Sequence, residues 1–510
     1  MSLPNGVEVP GAARRDFPDD PFAARRAKLE EWRALGIDPY PAHTPEHSTI
    51  AVARSTGNHL LGEGRYEGGV GVVGRIRSLR LQGALCFVDL EDGTGKIQLL
   101  IKKDLVSAEL FAQLELLDVG DFVWAHGPLF VTRRGELTVE VAQWQLMGKS
   151  LHPLADSWHG LQDQEIRQRQ RYADLLANPH VRERFIKRSN FIWNLRQFLV
   201  AEGFMEVETP ILEHTPGGAD AEPFTTHYNA LDTDFYLRIA PELHLKRLVV
   251  GGYDKVFEIG KSFRNEGMSP WHLQELTTLE TYWAYADYGQ MMELAERMYR
   301  TVISNTFNTL RFERGDITLD FAVEWPRTTY TDLLKEYAGV DILTISDEDL
   351  RAVVRSHGID VQDTIGRGRL MDLLYKKTAR PHLIQPQFIV DIPVEFSPLA
   401  KKKASDPRLT ERFFVLIDGS EISNAFSELN DPDDQLKRFE EQENLRAAGD
   451  TEAQRLDHDF VRALQYGLPP TVGYAIGIDR LLVILLGLDT VREAVLFPTM
   501  RPEPTDKHSS

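Results

Sequence analysis

Between Val70 and Leu146 the chain repeats one device, a short run of alternating apolar and polar residues closed by a turn. The runs read "GVGVVGRIRSLR", "ALCFVDLED", "GKIQLLIKK", "GDFVWAHGPLFV" and, after the turn "TRRG", "GELTVEVAQWQLM". A period of two is the signature of strands with one face buried. Five such strands with one helical pause, "LVSAELFAQLELLD", restrict this segment to a small barrel of the OB type, whose exposed strand face and loops commonly receive single-stranded nucleic acid. Arg75, Arg77, Arg80, Lys96, Lys102 and Lys103 bring positive charge there, and Phe87 and Gln98 offer a stacking ring and an amide for a base edge. On spacing alone, Phe87 reads as a barrel core residue.

The rest of the chain follows other periods. Residues 1–20, rich in Gly, Pro and Ala, read as a loose tail. A helical extension covers 21–66: Asp20 caps its helix, Pro21 suits the first turn, and Gly36 with Pro39 stops it. One face of that helix is basic, which serves phosphate contact and plain solvation equally well. The barrel occupies 67–150 and a linker 151–177; an α+β domain fills 178–503, and 504–510 is a second tail. In the α+β domain, helix "RFIKRSNFIWNLRQFLVAEG" leads to strand "FMEVETPIL". Strand "TDFYLRI" runs into helix "APELHLKRLVVGG", bounded by Pro241 and Gly251. Strand, long polar loop and strand are read across "KVFEIGKSFRNEGMSPWHLQELTTLETYWAYAD", two more strands flank the turn in "VLIDGSEISNAFSELND", and "VGYAIGIDRLLVILLG" passes directly from strand to helix. Strands joined mostly by hairpins imply an antiparallel sheet with helices packed on it.

Composition narrows the setting. The 510 residues are 42% hydrophobic and 26% charged, ordinary for globular domains. A single cysteine, Cys86, excludes a disulfide framework and a multi-thiolate zinc site and points to a reducing cytoplasm. The apolar run "LLVILLG" is too short to cross a bilayer, and no basic-then-apolar signal pattern opens the chain. A net charge of −19 argues against a nonspecific grip on nucleic acid, while a local basic face still permits a specific complex.

Three constellations carry chemistry. Arg264 and Glu266, two apart on a strand, leave one face, where a guanidinium takes an anionic oxygen and the acid an amino donor. Asp479-Arg480 sits where a strand enters a helix N-terminus, a second anion-friendly position. Two arginines converging from distant segments suit a triphosphate and the charge that develops when a carboxylate attacks it. In "NAFSELND", Asn424, Phe426 and Glu428 share one strand face and present amide, ring and carboxylate in a row. That row fits an amino acid with an apolar stem and a cationic tip. Glu280 and Tyr282 share another face, and Glu242 opens its helix, so several acids aim at one basic ligand. Buried acids without a cation are costly, so the empty pocket has to be wet or charge-balanced.

"FMEVETPIL", "FRNEG…HLQELTTLE" and "GYAIGIDRLL" resemble the three motifs of class II aminoacyl-tRNA synthetases, and "FSELND" with its flanking text resembles the lysyl-tRNA synthetase branch. The likeness runs from about Arg25 to Pro502. It implies an α+β protein with an N-terminal OB-fold barrel that binds the tRNA anticodon, a class II catalytic domain, and a cytoplasmic homodimer joined through the segment holding Pro210. It implies lysine held by Gly218, Glu242, Glu280, Tyr282, Asn424, Phe426 and Glu428. It implies ATP held by Arg264, Glu266, His272 and Arg480 beside Leu276, and magnesium at Glu421. Arg264 and Arg480 are the implied catalytic groups, and anticodon bases fall to Arg80, Phe87, Gln98 and Glu136. The implied activity is that of a lysine–tRNA ligase, with L-lysine, ATP and tRNA(Lys) as substrates and no membrane partner.

Departures from the family pattern gather on the nucleotide side. Leu276 replaces the phenylalanine that stacks on adenine, Trp271 and Leu273 replace arginine and asparagine beside His272, Phe414 stands for an acidic magnesium ligand, and Ala475 for a glycine. Glu222 replaces an arginine and Ala84 a lysine of the barrel. Three readings follow: a working ligase, an impaired paralogue that binds lysine or tRNA, or an enzyme that lysylates a protein. The barrel argues against the last, and an acid-lined pocket argues against aspartate or asparagine as substrate.

Overall fold

In a computed structural model the chain forms two compact units, residues 1–162 and 163–510. The structure describes residues 17–58, 64–154, 161–363, 365–447 and 454–503. Most of the expected N-terminal tail, the whole C-terminal tail and the middle of the expected linker lie outside them.

The first unit holds the barrel. Its strands are β1 (Arg65–Gln82), β2 (Leu85–Asp92), β3 (Gly95–Lys102), β4 (Phe122–Val131), β5 (Leu137–Val141) and β6 (Gln143–Gly148), ordered β1-β2-β3-β5-β4-β6 and closed by pairing of β1 with β4. The last of the five expected strands is divided at Ala142, so β5 pairs with both β3 and β4, and β6 continues along β4. The crossing is tight, because a Cβ at Gly127 would overlap the Glu140 carbonyl oxygen. Cys86, Val88, Leu90, Ile97, Leu99 and Val139 fill the interior. Phe87 is not among them: it lies half-buried on the outer face, since alternation puts its neighbours Cys86 and Val88 inside. The extension helix, Pro21–Ala34, begins where Asp20 accepts from the Ala23 N–H at 2.7 Å, and buries Leu29 and Trp32.

In the second unit, helices Gln164–Arg169 and Arg171–Ala177 occupy the latter part of the expected linker. They are fixed there by the buried pair Arg171–Asp174 at 2.6 Å, with Arg167 on the same carboxylate at 2.8 Å. An eight-stranded sheet follows in the order Arg327–Thr329, Gln387–Pro393, Leu409–Ile417, Ser420–Ser427, Thr471–Gly477, Glu275–Ala284, Lys255–Phe263, Met205–Glu206. Its six inner strands are antiparallel, as the hairpins imply, but the outermost pair at each edge is parallel, so the sheet is mixed. The run "FMEVETPIL" contributes only Met205–Glu206 to this sheet. On one face, helices Pro179–Ala201, Tyr288–Phe307 and Ile478–Leu485 pack in the largest core. The fold is α+β, with its central strands free to present side chains on the opposite face.

Candidate functional site

Register builds the site. Across four strands Glu280 opposes Ala475, Ala475 opposes Asn424, and Asn424 opposes Phe414. One step along, Tyr282 opposes Gly473, Gly473 opposes Phe426, and Phe426 opposes Arg412. Opposed residues share a face, so two parallel rows line one floor. The strand between them carries Gly473, Ala475 and Gly477, and their small size leaves the space. A Cβ at Gly473 would overlap Glu428 Oε1 and lie 2.6 Å from Tyr282 Cε1.

A cavity of about 170 Å³ opens over the first row, lined among others by Arg264, Glu266, His272, Leu276, Glu280, Glu421, Asn424 and Arg480. Arg264 and Glu266 lie just past the end of their strand rather than on it, yet both reach the cavity. Arg480 stands near the start of helix Ile478–Leu485 and donates to the Glu421 carbonyl oxygen at 2.8 Å, which joins the helix end to the adjacent strand. The preceding Asp479 accepts from the Thr277 N–H at 2.7 Å and pairs with Arg188 at 2.6 Å. Burial and the Arg480 charge hold the His272 imidazole below its usual range, and its Nδ1 lies 2.6 Å from Ser269 Oγ. Burial raises Glu421 against the opposing pull of Arg412 and Arg480. The Nε of Arg264 is buried without a hydrogen-bond partner among the described residues, a donor available to a ligand oxygen.

Beyond the inner end of this cavity lie Glu242, Glu428, Tyr282 and Phe426, all buried. Glu280 connects the two parts: Tyr282 Oη donates to it at 3.5 Å, and burial with the Glu242 charge pushes its carboxyl up to about 8. The same burial and acids raise the Tyr282 hydroxyl well above its usual range. Gly218, at φ +85°, brings its backbone against Glu242, since a Cβ there would stand 2.8 Å from the Glu242 Cβ. At the centre is a residue the sequence reading passed over: Lys246 donates to Glu242 Oε1 at 2.6 Å and pairs with Glu428. The Glu242/Lys246 spacing of four on a helix was the available signal. Arg412 was also missed; it donates to Asn424 Oδ1 at 2.9 Å and lies 4.9 Å from the Phe414 ring centre.

The departures on the nucleotide side follow packing. Leu273 is buried in the main core, and Trp271 and Leu276 pack against it, so the loop is anchored by apolar contact. Phe414 belongs to a second core with Leu370, Met371, Leu374 and Tyr375. Its place gives no second carboxylate beside Glu421, and among the described residues no group of three or more His, Cys, Asp or Glu is placed to hold a metal ion.

On the barrel, Arg80 opposes Phe87 and Asp89 opposes Gln98, which in turn opposes Thr138, so these residues share the outer face. Gln98 Oε1 accepts from Thr138 at 3.1 Å, and that hydroxyl is also 3.2 Å from the Glu136 carbonyl oxygen. Several of the basic residues there are already paired, Lys102 with Glu140 at 2.6 Å and Arg77 with Glu91 at 3.0 Å.

Family models match both units: residues 163–501 match the class II tRNA synthetases (D, K and N), and residues 70–147 match an OB-fold nucleic acid binding domain. The lysine–tRNA ligase of Moorella thermoacetica is 47% identical over 487 residues, 95% of this chain and 98% of the relative. That of Thermotoga maritima is 45% identical over 492 residues, 96% and 98% of the two chains. The heat-inducible lysine–tRNA ligase of Escherichia coli K12 is 47% identical over 437 residues, 85% and 86% of the two. Two arginines and Glu280 lining one cavity, further acids clustered with Glu280, and an OB barrel earlier in the chain accord with these likenesses, and the chain belongs to the class II tRNA synthetases of the D, K and N group.

Proposed function

We propose that this aminoacyl-tRNA ligase takes L-lysine, joins it to AMP at the expense of ATP, and transfers the lysyl group to the 3′ end of tRNA(Lys). The observation that carries the reading is the meeting of Glu242, Glu280 and Glu428 from separate segments beside a cavity that Glu280 lines together with Arg264 and Arg480. In this reading Gly218, Glu242, Glu280, Tyr282, Asn424, Phe426 and Glu428 receive lysine, the ring lying along its methylenes and the carboxylates taking its ammonium groups. Arg264 takes the α-phosphate, Glu266 the adenine amino group, His272 the outer phosphates and Arg480 the γ-phosphate, with Leu276 against the base.

The lysine carboxylate attacks the α-phosphorus, the bond to the β-phosphate oxygen breaks, and pyrophosphate leaves. No protein nucleophile takes part; Arg264 and Arg480 hold the reacting groups and offset the charge that develops. Magnesium would accompany the triphosphate substrate as its counter-ion, with Glu421 among the carboxylates that line the cavity to meet it. The impaired reading has no observation in its favour, since Arg264, Glu266, His272, Glu421 and Arg480 all line the same cavity.

The outer barrel face with Arg80, Phe87 and Gln98, and Glu136 beside it, is the proposed anticodon surface. The chain pairs with a second copy through helix Pro179–Ala201. Ile186, Trp193 and Val200, spaced by seven, are 53%, 59% and 56% exposed, and Met205, Ile211 and Leu212 extend the patch. The test is exchange of labelled pyrophosphate into ATP: lysine drives it, aspartate and asparagine do not, and its absence at saturating lysine and magnesium–ATP overturns the reading.

A further inference from the structure

Lys246 is fully buried on helix Glu242–Val250, and every feature around it concerns charge. Its ammonium lies 2.6 Å from Glu242 Oε1, pairs with Glu428, and sits 5.2 and 5.7 Å from the ring centres of Phe426 and Phe460, which close it off from water. From the neighbouring strand Glu280 and Tyr282 face the same cluster, and behind Glu280 stand Arg238, Glu258 and Arg264. Arg238 is committed to Glu258 at 2.6 Å, and Arg264 belongs to the cavity mouth. Two carboxylates therefore touch one resident ammonium, and a third, Glu280, adds its field to theirs.

We propose that Lys246 is a positioning and specificity residue, a built-in counter-ion that cancels one of the three carboxylates and leaves the pocket matched to a ligand carrying two ammonium groups. This rests on reading Glu242, Glu280 and Glu428 as the lysine pocket. Free lysine supplies an α-ammonium and an ε-ammonium, while its carboxylate faces the arginines. With Lys246 the count closes at three acids and three cations; a ligand with a single ammonium leaves one buried acid unpaired, and an aspartate adds a fourth carboxylate. Lys246 also holds Glu242 and Glu428 in place before lysine arrives. Without it a further buried acid takes up a proton, which has to leave when lysine binds.

The experiment uses full-length Lys246→Met, Lys246→Arg and Glu280→Gln proteins in pyrophosphate exchange across the neutral pH range. Lys246→Met is expected to raise the KM for lysine by about tenfold or more at neutral pH, less than outright unpairing of a buried charge costs because the freed acid can take up a proton. The KM for ATP stays near its original value, and the KM for lysine falls more steeply with rising pH than in the unaltered enzyme. Lys246→Arg keeps the charge in a bulkier fork, so its lysine KM rises less and its pH profile is unchanged. An unaltered lysine KM and profile in Lys246→Met overturns the proposal. So does a parallel rise in both KM values without a steeper profile or partial recovery by arginine, the behaviour of a packing residue. Should Lys246→Met fail to fold, Lys246→Arg decides alone: an unchanged pH profile of the lysine KM supports the proposal, and a steeper one overturns it. If Glu280→Gln also leaves the lysine KM untouched, the pocket reading itself has failed; if only Lys246→Met does so, the counter-ion falls and the pocket stands.

Discussion

Among the described residues no cation pairs directly with Glu280, and burial with the Glu242 charge raises its carboxyl from 4.5 to about 8. The folded protein thus holds this proton more tightly than the unfolded chain. The resulting stability is complete below the ordinary glutamate range and is lost as pH climbs to about 8. The Tm of the ligand-free protein should therefore fall across that window more than the Tm of Glu280→Gln; parallel curves by scanning calorimetry would contradict this. Leu276 calls for a different test. It contacts the cavity and the main core, so Leu276→Phe should add a stacking face for adenine and lower the KM for ATP by about fivefold, the worth of one ring at roughly 1 kcal/mol. A raised KM would mean that the core beneath the loop cannot yield the space. In the sequence the replacements at 271 and 273 looked like losses of polar function, and that at 276 like loss of a stacking ring. Their gain, apolar contact beneath the loop, depends on helices remote in the chain.

At the scale of elements, the strand Thr471–Gly477 shows how a pattern of small residues becomes a site. Gly473→Ala would force Glu428 and Tyr282 apart, costing about 1–3 kcal/mol of stability. The KM for lysine should rise while the KM for ATP changes little; equal effects on both would place the damage in the sheet as a whole. Ala475 lies between Glu280 and Asn424 and lines the cavity of Arg264, Leu276 and Arg480, so Ala475→Gly should change the KM for ATP more than that for lysine. Alternation along "NAFSELND" and "TLETY" was legible because strand geometry fixes which side chains share a face. The pairing that puts Glu280, Ala475 and Asn424 in one row joins segments far apart in the chain, and no local pattern states it.

For the whole molecule, the exposed line of Ile186, Trp193 and Val200 gives the sharpest test of assembly. Trp193→Glu should convert a dimer to monomer in sedimentation equilibrium, and an unaltered mass would place any contact elsewhere. Among the described residues no helix is long and apolar enough to cross a membrane, in accord with the shortness of "LLVILLG". By itself the sequence determined the barrel strands, the caps at Asp20 and Pro241, the bounding Gly251 and which strand faces carry the acids, because each depends on periods of two or 3.6 residues and on turn chemistry within a few positions. Only the tertiary structure decided that Phe87 faces outward, that the sheet edges are parallel, that Phe414 is absorbed into a core, and that Lys246 stands among the acids. The physical reason is common to all four. Burial of a ring or a charge is settled by what other segments bring against it, and the free energy of a buried carboxylate depends on whether a cation arrives from elsewhere.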